Sequence, residues 1–209
     1  MPHTARKVPP RDPPAPPHDL DDASVIVWSL REPERFAALF RRHAPAIMRY
    51  VVRRLGPGPA DDIVAETFLV AFRARASYDT ARGDARAWLY GIATNLVRRH
   101  RRDEVRQLRA LARTGADPVT ESFSDAADTR LSAGAARRAL AAALARLPAA
   151  QRDVLLLVAW EGLTYDEAGR ALGVPAGTVR SRMNRARGKL RGALGGIDPT
   201  AVTEEQADE

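Results

Sequence analysis

Periodicity constrains this chain more than any other feature. Apolar residues recur at steps of three and four, and no segment shows the strict alternation of a strand. Phe36, Leu39, Phe40, His43, Ile47, Val51 and Leu55 share one helical face. Pro45 falls inside that run and is expected to kink or break it. Gly56-Pro57-Gly58-Pro59 is a stop; it lacks the Lys and the preceding strand of a phosphate loop. Val64, Phe68 and Phe72 mark a second helix, with Asp61 and Asp62 at its positive N-terminal end. Ser77, Asp79, Thr80, Gly83 and Asp84 are turn formers. Leu89, Ile92, Ala93 and Leu96 form the stripe of a third helix, from about 86 to 102. The expected fold is all-α: two small helical domains joined by a flexible linker, the second carrying a helix-turn-helix.

The boundaries follow from composition. Seven of the first seventeen residues are Pro, so residues 1–24 read as a disordered tail. The first domain spans 25–103. Between 104 and 133, Asp117, Glu121, Asp125 and Asp128 stand among Thr, Ser, Gly and Pro, which reads as an acidic linker. The second domain spans 134–195, and 196–209 is an acidic tail.

Charge and cysteine usage exclude several classes. Lys and Arg number 33 against 26 Asp and Glu, for a net charge of +7. Nucleic acid is therefore the first partner to consider. Nearly all the cations are Arg; only Lys7 and Lys189 are lysine. Position therefore matters more than number. With no Cys there is no disulfide, zinc ribbon or thiol chemistry within the chain. The four His show no metal-ligand spacing, so no metal or other cofactor is expected. The longest apolar run, Val154 to Trp160, is too short to span a membrane. The N-terminus has no apolar signal region. These features point to a cytoplasmic protein without membrane insertion.

The chemistry concentrates near the end of the chain. Thr164 and Glu167 match a capping box and set a helix start. Gly173 suits a left-handed cap, and Pro175 a helix beginning. That is the helix-turn-helix layout, whose second helix enters the major groove. From Ala168 to Ile197 there are seven bases and no acid. At about 100° per residue, Val179, Met183, Ala186 and Leu190 face inward. Thr178, Arg180, Ser181, Asn184 and Arg185 face outward or flank the seam. Arg can bond guanine bidentately and Asn can do the same to adenine. The remaining bases suit phosphates or solvent.

The first domain has its own basic face. On the third helix Gly91, Thr94, Asn95, Arg98 and Arg102 are expected to point outward, with Arg99 beside them. Tyr78 and Trp88 lie at its edge. Arginines tracking phosphate and rings stacking on bases suit single-stranded nucleic acid; equally, Trp88 and Tyr78 suit a core. On the second helix Asp61, Asp62 and Glu66 form an acidic edge with Leu69 and Val70 beside it. This is either a solvated helix start or a protein-docking face.

Three segments carry a family resemblance. Asp61-Asp62-Ile63-Val64-Ala65-Glu66-Thr67-Phe68-Leu69-Val70-Ala71-Phe72 resembles region 2.2 of the extracytoplasmic function (ECF) sigma factors of the sigma-70 superfamily. Trp88-Leu89-Tyr90-Gly91-Ile92-Ala93-Thr94-Asn95 resembles their promoter-melting helix. Gly177-Thr178-Val179-Arg180-Ser181-Arg182-Met183-Asn184-Arg185-Ala186-Arg187 is similar to their region 4.2 recognition helix. The chain departs from the common pattern at Ala65, Thr94 and Asn184. The resemblance implies a promoter-recognition subunit of RNA polymerase, not an enzyme. Asp61, Asp62 and Glu66 would bind the β′ clamp helices. Tyr78, Trp88, Asn95, Arg98, Arg99 and Arg102 would contact the −10 element. Thr178, Arg180, Ser181, Asn184 and Arg185 would contact the −35 element, with the second domain on the β flap. An anti-sigma factor is the implied regulator.

Two other classes compete. A helix-turn-helix regulator that ignores polymerase would share the second domain, but it would bring a receiver or ligand domain in place of the first. A metal-dependent nuclease would need converging carboxylates, and Asp61, Asp62 and Glu66 lack a Lys or His partner.

Overall fold

A computed structural model describes residues 20–82, 84–113 and 140–194. The expectations for residues 1–19, the linker beyond 113, the first residues of the second domain to 139 and the tail from 195 lie outside the described residues.

Among the described residues the regular structure is helical. Helix α1 (Asp22–Ser29) starts on Asp21, whose side chain accepts the Ser24 N–H at 2.8 Å. Structure thus begins slightly before residue 25, because Asp22 and Ala23 are buried and anchor the helix. Helix α2 (Ala37–Leu55) follows a short 3-10 turn and ends at Gly56. Helix α3 (Ala60–Ala74) carries Asp61 and Asp62 in its first turn, as the dipole favours. Two 3-10 turns lead to α4 (Arg86–Arg113). Next come α5 (140–146) and α6 (Ala149–Leu155), which continues into a π turn, Leu156–Trp160. Helices α7 (Tyr165–Leu172) and α8 (Ala176–Ala193) complete the fold.

Two local expectations are corrected. Pro45 neither breaks nor ends α2, which runs through it. Leu39 before it and Ile47, Tyr50 and Val51 after it are all at most 2% exposed. Burial on both sides outweighs the cost of about 3 kcal/mol for an interior proline. Helix α4 also continues ten residues past 103, into the segment expected to be linker. No Gly or Pro occurs between residues 92 and 114, and Arg99 and Arg106 both pair with Asp103 along the helix.

One apolar cluster runs through both halves of the chain. Phe36 packs edge-on to Phe72, and Phe40 to Phe68, joining α2 and α3. Tyr50 packs edge-on to Tyr90, joining α2 and α4. Helix α4 then packs against α7. At their crossing Gly91 lets the backbones meet: a Cβ there would stand 2.6 Å from the Ala171 carbonyl oxygen. The two domains are therefore docked on each other.

Candidate nucleic-acid interface

The helix-turn-helix is assembled from its caps. The Thr164 hydroxyl accepts the Glu167 N–H at 3.2 Å, and the Glu167 carboxylate accepts the Thr164 N–H at 2.7 Å. Both halves of the capping box are made. Gly173 is left-handed at φ +66°, and the Val174 N–H closes onto the Gly169 carbonyl at 2.9 Å. That turn sets α8 against the rest of the domain. Val179, Met183, Ala186 and Leu190 are 0–1% exposed, so one stripe of α8 is fixed in the core.

The opposite face is open. Arg180, Asn184 and Arg185 are exposed; Thr178 and Ser181 are half-buried. The Ser181 hydroxyl donates to the Thr178 carbonyl at 3.1 Å, one turn back. Arg180 leans toward the Tyr165 ring, 5.6 Å from its centroid. These five side chains lie on one ridge that a groove could receive.

The first-domain set is divided. Asn95, Arg99 and Arg102 are exposed on one side of α4. Gly91 and Thr94, expected to face outward, are buried. Thr94 shares a 2.8 Å hydrogen bond with the Tyr50 hydroxyl, and Gly91 lies under α7. Arg98 reaches the second domain and donates to Asp153 at 2.6 Å. For Gly91 and Arg98 the reason is the docked second domain, which supplies a burying surface that no pattern within α4 announces; Thr94 turns instead toward Tyr50 of α2.

Tyr78 and Trp88 meet with ring centroids 5.0 Å apart. Tyr78 is 9% exposed, and its buried hydroxyl has no hydrogen-bond partner. Burial, with the nearby Asp22 and Asp84 charges, pushes that hydroxyl up to about 12. The pair lines a cavity of about 170 Å³ with Asp79, Arg82 and, from α7, Arg170. A buried tyrosine with an unsatisfied hydroxyl beside a half-buried tryptophan is suited to a flat base that offers a hydrogen-bond partner.

On α3, Asp61, Asp62 and Glu66 are exposed, and Leu69 is 46% exposed beside them. Glu66 lies 4.0 Å from Arg99, a loose surface pair. The acids and an apolar neighbour therefore share one solvent-facing edge.

Two acids central to the structure were not singled out by sequence. Asp153, fully buried, receives Arg54 and Arg98. Glu161, 7% exposed, accepts from Arg53 at 2.9 Å and from the Tyr90 hydroxyl at 2.6 Å. Burial, then the Glu161 contact, raises the Tyr90 hydroxyl pKa. The signal available was an acid at each end of the apolar run 154–160. Asp22 was likewise missed. It lies within reach of His43 and Asp84, but its carboxylate is already bonded by Arg42, by His43 at 2.7 Å and by the Ala85 N–H at 2.9 Å.

A helical domain with an exposed acidic edge, followed by a capped helix-turn-helix with an open basic ridge, defines a two-domain DNA-binding protein. Sigma-70 region 2 matches residues 39–107, and Sigma-70, region 4 matches residues 137–190. The ECF RNA polymerase sigma factor SigE of Mycolicibacterium smegmatis is 39% identical over 181 residues, which are 83% of this chain. They span only 64% of that relative. SigC of Mycobacterium tuberculosis is 35% identical over 157 residues, covering 75% of this chain and 80% of SigC. The solved structure of CnrH in complex with the cytosolic domain of CnrY matches at TM-score 0.59 and 27% identity, over 83% of this chain and 97% of CnrH. The chain belongs to the ECF RNA polymerase sigma factors of the sigma-70 family. Among the described residues no helix is long and apolar enough to cross a membrane.

Proposed function

We propose that this chain directs core RNA polymerase to promoters by reading a −35 element with Thr178, Arg180, Ser181, Asn184 and Arg185 of α8. The observation that carries this reading is the division of α8. Its apolar stripe is sealed in the core while Arg180, Asn184 and Arg185 remain exposed on the opposite ridge. The −10 element engages Asn95, Arg99 and Arg102, with Arg98 joining once it leaves Asp153. The Tyr78–Trp88 cavity receives an unstacked base; its size, its rings and its unsatisfied hydroxyl support that role.

Core polymerase docks through its β′ clamp helices on Asp61, Asp62 and Glu66, with Leu69 as the apolar contact, and through its β flap on the second domain. An anti-sigma factor holds the protein inactive, as family membership supports. The protein acts in the cytoplasm, with its polymerase. Its part is positioning and strand capture, and polymerase supplies the chemistry. Run-off transcription with core polymerase on genomic fragments tests the reading. Discrete start sites with shared upstream elements are expected; core-dependent transcripts without shared elements, or none, would overturn it.

A further inference from the structure

Of the two exposed arginines on the α8 ridge, Arg180 rests on a ring and Arg185 does not. The Arg180 guanidinium carbon stands 5.6 Å from the centroid of Tyr165, within the range of cation–π attraction. Among the described residues no hydrogen bond or ion pair claims Arg180.

The ring is held by its surroundings. Tyr165 is the first residue of α7, half-buried and packed against the apolar cluster. Thr164 before it is locked by the capping box. The turn into α8 lies directly on α7: a Cβ at Gly169 would stand 2.7 Å from the Val174 carbonyl oxygen. Val179, next to Arg180, is 0% exposed. Tyr165 and the Arg180 backbone therefore both sit on rigid elements. What remains to be ordered is the Arg180 side chain.

Charge decides how that ordering is done. From Ala168 to Ile197 the chain has no acid. The Glu167 carboxylate is turned back onto Thr164, accepting its N–H at 2.7 Å and its hydroxyl at 2.9 Å. A carboxylate partner would hold Arg180 by occupying the donors that read a base. A ring face holds the cation and takes none of its N–H groups. Arg180 is thus ordered in advance, with its fork kept for a guanine edge. Ordering a side chain before binding removes part of the entropy cost of binding.

We propose that Tyr165 is a positioning residue for −35 recognition, holding Arg180 in the orientation that reads one base pair. The inference rests on the −35 reading above. It adds that selectivity at this base pair depends on a ring in α7, outside the recognition helix.

Holoenzyme binding to a panel of −35 substitutions tests it, with thermal melts confirming that each variant is folded. Arg180→Ala should remove preference at one base pair and so identify it. Tyr165→Leu should lower discrimination at that same base pair about two- to fivefold, and leave the other base pairs unchanged. Tyr165→Phe keeps the ring and should behave as the parent. In an Arg180→Ala background, Tyr165→Leu should have no further effect on preference. If Tyr165→Leu weakens every sequence alike, the role is structural and the proposal fails. If Tyr165→Phe is as damaging as Tyr165→Leu, the hydroxyl is the active group and the proposal fails. If Arg180→Ala relaxes one base pair and Tyr165→Leu does not, the proposal fails while the −35 reading stands. If Arg180→Ala alters no preference, the assignment of Arg180 to a base falls with it.

Discussion

Asp153 and Arg54 pair across the junction of the two domains, and neither side chain is more than 2% exposed. A buried acid paired with a buried guanidinium group is stable only while both members are present. Asp153→Ala would strand the Arg54 cation in the core. Breaking a buried pair from one side costs about 3–5 kcal/mol. The urea unfolding midpoint of Asp153→Ala should fall accordingly, and the double variant Arg54→Met, Asp153→Leu should recover most of the loss. A single-variant loss below about 1 kcal/mol would mean that the pair is solvated.

Gly91 sets how closely α4 and α7 approach. Its missing side chain faces backbone, which cannot rotate away. Gly91→Val should therefore separate the domains while leaving each one helical. Small-angle scattering should show a larger radius of gyration, with far-ultraviolet circular dichroism nearly unchanged. An unchanged radius would show that the α4–α7 contact is not what holds the domains together.

Asp22 ties α1 to α2 and to the start of α4. Burial works to raise its carboxyl, but bonds from His43, Ala85 and Arg42 bring it from 3.8 down to about 2. A carboxyl depressed by folding stabilises the fold above its unfolded value, and that contribution fades as pH falls toward its folded value. Stability should therefore drop between pH values of about 4 and 2 through this group. Asp22→Asn should be less stable at neutral pH and should show a shallower acid transition. Parallel urea titrations across that range measure both.

Legibility in the sequence depended on whether the burying surface was local. The α8 stripe could be read because Val179, Met183, Ala186 and Leu190 repeat within one helix. Thr164, Glu167 and Gly173 could be read because caps act over a few residues. The α4 face could not. Gly91 and Arg98 are covered by residues about 55 to 80 positions later in the chain, at Asp153 and Ala171. Pro45 misled for a similar reason, since the proline penalty is local and the burial that outweighs it is tertiary. The Arg-rich composition also hid Arg53, Arg54 and Arg152, which sit among many solvated arginines in the sequence and converge only in the fold.

Glu66 tests the docking face. It is exposed, and among the described residues it pairs loosely with Arg99 at 4.0 Å, a surface pair worth about 0–1 kcal/mol. Glu66→Arg should therefore leave the fold intact. Where an acid meets a basic partner, reversing its sign costs several kcal/mol. Binding to core polymerase, followed by fluorescence anisotropy, should weaken sharply while the melting temperature stays close to that of the parent. Unchanged binding would assign this face to solvent.

The −35 ridge can be divided into base and phosphate contacts. Asn184 and Arg185 point away from the buried stripe, and both are exposed. Lys189 is also exposed but lies one turn further along α8, beside the buried Leu190. Arg185 is therefore expected to meet a base edge and Lys189 a phosphate. Losing a bidentate base contact removes about 1–3 kcal/mol of discrimination. Losing one phosphate contact weakens all sequences alike and reduces the salt slope by about one unit. Arg185→Ala should flatten the preference among −35 variants. Lys189→Ala should preserve that preference while lowering overall affinity. Holoenzyme binding to a panel of −35 substitutions at several salt concentrations measures both effects. If Lys189→Ala relaxes the preference and Arg185→Ala does not, α8 enters the groove rotated about its axis, and the base contacts belong to the Lys189 side of the helix.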